Sequence, residues 1–169
     1  MSTIEDYLNE HGTLTYSNVG TSMMPLLRQG KDLFTVRKKG PERCRVGDVV
    51  LYRRPPDKYV LHRVVEVRED GYDILGDNCA ERERGIRDRD ILGVMTGYIR
   101  DGVEHSVDEQ AYRDYTARIL RGEKRRTAGI RLKRKIRSVL RRLAGRGQTA
   151  VRRFVPRSRA EPRPPHNNS

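Results

Sequence analysis

Short apolar segments separated by turn-forming residues recur through the N-terminal two thirds of the chain, the pattern of short strands. Runs rich in Val, Ile, Leu and Tyr fall at 13–17, 33–38, 48–53, 59–67, 72–75, 92–99 and 104–106, with Gly, Pro and Asp between them. Strands of this length and spacing predict a mainly β domain. Asp70-Gly71 and Asp101-Gly102 fall between strand candidates and read as hairpin turns. Pro55-Pro56 with Asp57 reads as another turn. Ser2 and Glu5 stand at capping-box spacing, which predicts a short helix through Leu8 that stops before Gly12.

The pattern changes after Ser106. Ala111, Tyr112, Tyr115 and Ile119 give 107–120 a moderately apolar helical face. Over 128–143, Leu132, Ile136, Val139, Leu140 and Leu143 recur at helical spacing among Lys and Arg, which predicts a basic amphipathic helix. From Gly145 onward Pro and polar residues show no periodicity, the composition of a disordered tail. The expected organisation is a β domain over 1–106, an increasingly basic helical extension over 107–144 and an irregular tail over 145–169.

Charge sharpens this division. The net +13 of the 169 residues separates into +16 after Thr116 and −3 before it. A nucleic-acid-binding fold with a basic footprint over the whole domain is therefore excluded, and any polyanion contact belongs to the tail. Phe154 is the tail's lone aromatic residue, so base stacking on single strands is disfavoured as well. No apolar run approaches the ~18–20 residues of a membrane span. The acidic, polar N-terminus does not read as a secretory signal. Cys44 and Cys79 are too few for a disulfide framework or a zinc site and read as reduced thiols.

Three blocks carry candidate chemistry. In the first, Gly20-Thr21-Ser22-Met23-Met24-Pro25 runs on to Gly30, so the Ser22 hydroxyl sits in a Pro-broken turn with unpaired backbone N–H groups around it. The second is an apolar strand with one histidine inside it, Tyr59-Val60-Leu61-His62-Arg63-Val64-Val65. A neutral imidazole is suited to accept a serine proton near neutral pH. The third, Gly76-Asp77-Asn78-Cys79 through Glu83, follows the strand expected to pair with that of His62, so its carboxylates are candidates to orient the ring. Taken singly, these residues also fit a cap, a core histidine and a solvated loop.

Ser22-Met23-Met24-Pro25, Gly47-Asp48-Val49-Val50, His62-Arg63-Val64-Val65 and Gly76-Asp77-Asn78 occur in that order. Together they resemble the boxes of the signal-peptidase and self-cleaving-repressor superfamily of serine peptidases, over about residues 17–102. Histidine in the third box is similar to the Ser-His branch. The resemblance implies a signal-peptidase-like β-rich fold and a serine endopeptidase acting on a peptide or protein precursor. Ser22 would be the nucleophile and His62 the base. Asp77 or Glu83 would be the third member, and the backbone at Thr21, Ser22 and Met23 the oxyanion site. It implies no metal and no organic cofactor. The chain departs from the family in having Gly20 where a serine often stands, and no membrane helix or DNA-binding domain is expected. The alternative expectation is a catalytically weak or inactive peptide-binding or regulatory module of the same fold. The stripe over 128–143 suits an anionic membrane surface, placing the protein in the cytoplasm, peripheral at the inner face of the membrane. A solvated or packed helix and an acidic protein partner are the other readings of that stripe, and nucleic acid is the weakest.

Overall fold

The computed structural model describes residues 3–56, 58–125 and 136. The chain divides into two compact units, Met1–Arg125 and Arg126–Ser169. Of the second, Ile136 alone is described. The helix expected over 128–143 and the tail over 145–169 thus lie outside the described residues.

The first unit is mainly β. Helix α1 (Ile4–His11) precedes strands β1 (Thr13–Ser17), β2 (Leu33–Lys38), β3 (Val49–Arg54), β4 (Lys58–Arg68), β5 (Gly71–Leu75), β6 (Glu83–Ile86), β7 (Ile91–Arg100) and β8 (Val103–Ser106). A second helix, α2, covers 110–125. The strands form one sheet in the order β1-β2-β7-β3-β4-β5-β6, with β8 added on β7, and every pairing is antiparallel. No helix among the described residues is long and apolar enough to cross a membrane.

The cap of α1 forms one residue later than expected. Thr3 accepts from the Asp6 N–H at 3.1 Å, and Asp6 accepts from the Thr3 N–H at 2.9 Å. Thr3 and Asp6 repeat the spacing of Ser2 and Glu5, and the helix they cap buries Leu8 in the core at 1 % exposure. Gly12 ends the helix with φ of 74°, a left-handed cap. At the β7–β8 hairpin, Asp101 and Gly102 both have positive φ, as a two-residue type I′ turn requires.

Two apolar clusters form within the unit. One gathers Leu8, Leu14, Phe34, Val36, Val49, Leu51 and Leu61 with Met23, Leu26, Leu27 and Tyr112. The other holds Val50, Tyr52, Val64, Tyr72, Ile74 and Ile91. Strand β3 sends alternate residues into each cluster, which is why Val49-Val50-Leu51-Tyr52 is apolar throughout. Tyr112 reaches the first cluster from α2, so the compact unit extends past Ser106 to Arg125.

Candidate active site

Ser22 lies in the loop between β1 and β2, at the start of a hydrogen-bonded turn. Met23, Leu26 and Leu27 anchor that turn in the first core cluster. Met24 N–H donates to Thr21 O at 3.1 Å, and Leu27 N–H donates to Met23 O at 3.0 Å. Among the described residues, no acceptor takes the backbone N–H of Thr21, Ser22 or Met23. Unengaged N–H groups beside a hydroxyl are what an oxyanion site needs.

The Gly-Asp-Asn segment is fastened to this turn. Asn78 N–H donates to Ser22 O at 2.8 Å, and Asn78 Nδ2 donates to Thr21 O at 3.2 Å. Gly76 fills the space between turn and strand. A Cβ there would stand 2.8 Å from Ser22 O, 2.9 Å from His62 Nε2 and 2.7 Å from Cys79 Sγ. Those distances are too short for any side chain, so the absence of one lets the serine turn and the imidazole approach each other. The first, third and fourth sequence boxes are thereby brought together.

His62 projects from β4 and is 5 % exposed. Its Nδ1 lies 3.0 Å from Glu83 Oε1. The carboxylate sits off the direction of the ring N–H, and among the described residues Nδ1 makes no well-aligned hydrogen bond. Glu83 opens β6 and is carried to this place by its pairing opposite Ile74. Arg54 grips both oxygens of Glu83, donating from Nε at 2.8 Å to one and from a terminal nitrogen to the other. The same guanidinium donates to the Tyr52 hydroxyl at 3.2 Å.

These contacts set the protonation states. Burial lowers the His62 pKa below its ordinary value; the Glu83 charge opposes this and the Arg54 charge adds to it. Burial pushes Glu83 up, but hydrogen bonds from Arg54 and Tyr52 outweigh it and hold the carboxyl below its usual range. Burial also raises the Tyr52 phenol. At neutral pH the site therefore holds a neutral imidazole against an ionised carboxylate, the arrangement of a general base with its orienting acid.

Asp77 is engaged elsewhere. Its oxygens receive a fork from Arg63, Nε at 2.8 Å and a terminal nitrogen at 2.7 Å, and the Tyr115 hydroxyl donates at 3.0 Å. Asp77 makes no ion-pair contact with His62, so of the two carboxylates expected beside the ring the structure brings Glu83 and not Asp77. The reason is strand alternation: His62 and Arg63 leave β4 on opposite faces, and Asp77 meets the face of Arg63. Sequence reasoning missed Arg54, Arg63 and Tyr115. An arginine on an apolar strand was the available signal, since a buried guanidinium needs acceptors.

Ser22 and His62 line a cleft of about 520 Å³ with Ile4, Tyr16, Phe34 and Leu61. Two strand edges border it. Among the described residues the outer edge of β1 carries no strand, and β4 pairs with β5 only from Arg63 onward, leaving one edge open over 58–62. Among the described residues no three His, Cys, Asp or Glu side chains converge as metal ligands would. No family model matches the chain, and a search of curated proteins returned no match.

Proposed function

We propose that the chain is a serine endopeptidase of the signal-peptidase-like Ser-His type, acting on a peptide or protein precursor. The observation that carries this reading is the meeting of the Ser22 turn and the His62–Glu83 pair over Gly76. Ser22 Oγ attacks the scissile carbonyl, and His62 takes its proton and returns it to the leaving amine. Glu83, held by Arg54, orients the ring and stabilises its charged form. Asp77 has no part in proton transfer; with Arg63 it fixes the segment that carries Gly76. The N–H groups of Thr21, Ser22 and Met23 face the developing oxyanion, a contribution of about 3–4 kcal/mol per donor in well-studied enzymes. An extended substrate adds as a strand between the open edges of β1 and β4, where main-chain pairing holds it and the apolar cleft takes its side chains. The basic stripe over 128–143 would hold the enzyme to anionic lipid at the cytoplasmic face of the membrane.

A fluorophosphonate probe tests the reading, because it reacts with an activated serine and not with an ordinary one. The expected result is labelling at Ser22 that disappears in Ser22→Ala and in His62→Ala. A folded protein that binds extended peptides at the cleft but takes no label would instead be the non-catalytic peptide-binding module.

A further inference from the structure

The two cysteines differ in setting. Cys44 is buried at 5 % exposure, and burial pushes its thiol up to about 11. Cys79 is half-buried and lines the same cleft as Ser22 and His62. A tight turn fixes it, with Cys79 N–H donating to Gly76 O at 2.8 Å. Its Sγ lies 2.7 Å and His62 Nε2 lies 2.9 Å from one point above Gly76, so the two atoms are no more than 5.6 Å apart. The imidazole beside the thiol is almost wholly buried; its Nδ1, which lies 3.0 Å from Glu83, has no well-aligned hydrogen bond among the described residues, and its Nε2 is the nitrogen turned toward Cys79. An accessible thiol beside a neutral base, in a cavity of ligand size, is the setting in which cysteine chemistry is selective.

We propose that Cys79 is a covalent modification site for small peptide-like disulfides of the glutathione type, and that the adduct closes the cleft over Ser22. The open edges of β1 and β4 make the cleft suited to peptide groups, which favours a peptidyl disulfide over other thiol reagents. Cys79 Sγ attacks one sulfur of the incoming disulfide. The Sγ–S bond forms as the original S–S bond breaks, and the thiol proton passes to His62 and then to the departing thiolate. Cys79 is oxidised and half of the disulfide is reduced, so no other reagent is needed. The group left on Cys79 occupies the space a substrate strand would take. The thiol site stands on the cleft geometry alone, while the covering of Ser22 rests on the peptidase reading.

The test treats the full reduced chain with glutathione disulfide and follows it by intact mass, peptide mapping and fluorophosphonate labelling. The expected result is one glutathione on Cys79, formed at least about tenfold faster than on Cys44. Labelling of Ser22 should fall about tenfold in step with the adduct and return after dithiothreitol. Cys79→Ser should keep its labelling in the presence of the disulfide. Equal modification of both cysteines, or none at Cys79 while the denatured chain accepts two, overturns the site. Full modification of Cys79 with undiminished labelling overturns the closing of the cleft. If the untreated protein never labels, the peptidase reading fails, and the mass of the Cys79 adduct still decides the thiol site.

Discussion

His62 and Arg63 are neighbours in β4, each faces a carboxylate, and the two pairs are built in opposite ways. Arg63 is fully buried and spends its donors on Asp77, Gly47 O at 2.9 Å, Thr116 Oγ1 at 2.9 Å and Tyr112 at 3.3 Å. Those acceptors lie on the loop before β3, on the segment after β5 and on α2, so one guanidinium ties three parts of the unit together. Among the described residues His62 has one misaligned ion-pair contact, to Glu83, and an Nε2 that faces the cleft. A buried ion pair held by several hydrogen bonds keeps a structure in place, because losing either partner strands a charge. A buried imidazole with one loose partner can gain and lose a proton without dismantling anything. Adjacent residues thus serve framework and chemistry, separated by the pleat of one strand.

The largest effect expected is on the chemical side. Ser22→Ala should lower peptide cleavage by about 10⁴–10⁶-fold. Denaturant unfolding of the same variant should stay within about 0.5 kcal/mol of the parent, since a half-buried serine that anchors no core contributes little to stability. Cleavage by Ser22→Ala at the parent rate would remove the serine from the mechanism altogether.

The framework pair should behave in the reverse manner. Arg63→Ala or Asp77→Ala should cost about 3–5 kcal/mol in urea unfolding, because each leaves an uncompensated charge among apolar side chains. Arg63→Met combined with Asp77→Leu should recover much of that loss, since neither charge is then stranded. If Asp77→Ala left stability intact and abolished cleavage, Asp77 would belong with the chemistry, and the division between the pairs would collapse.

Glu83→Gln separates positioning from bulk structure. Cleavage should fall by about 10²–10³-fold while unfolding changes little. The rise of kcat/KM with pH should have its midpoint below the ordinary imidazole value of 6.5, because burial favours the neutral ring. Removing the Glu83 charge removes the influence that opposes that shift, so in Glu83→Gln the midpoint should move further down. A midpoint that rises in this variant would show that Glu83 does not act on His62.

Much of the framework could be read from the chain, and the site less so. Strands β1 to β5, β7 and β8 show as runs rich in Val, Ile, Leu and Tyr bounded by Gly, Pro and Asp. Strand β6 does not, because Glu83-Arg84-Gly85-Ile86 has one apolar residue and is paired only through Ile86 and Glu83. That short polar strand is the element that delivers Glu83 to His62, so the acid partner could not be chosen by sequence reasoning. The choice between Asp77 and Glu83 also turns on strand register. Arg63 stands opposite Leu75, and a bulge between Val64 and Glu66 resets the rest of the β4–β5 pairing. Periodicity shows which residues share a face of one strand; it does not show which residue of another strand arrives opposite. The helical pattern after Ser106 was visible, but that Tyr115 and Thr116 would close over Arg63 depends on packing.

The smallest effect expected is on stability as a function of pH, and it too distinguishes the pairs. The folded protein holds His62 neutral to a lower pH than the unfolded chain does. Below the ordinary value of 6.5 the unfolded chain therefore binds more protons at this residue, and stability falls as pH falls. The contribution is fully present above that pH and is lost progressively beneath it. One proton allows a slope of at most about 1.4 kcal/mol per pH unit. Carboxylates held low by their partners, Glu83 and Asp32 among them, add their own losses only nearer their ordinary values of 4.5 and 3.8. The window between 6.5 and 4.5 thus belongs to histidine. Urea unfolding across that window should give a shallower pH slope for His62→Asn than for the parent, because asparagine carries no titrating proton. Identical slopes would mean that His62 takes up its proton in the fold as readily as in the open chain. The ring would then be as well satisfied when charged as Arg63 is, and the difference between the two neighbours would lie in position alone.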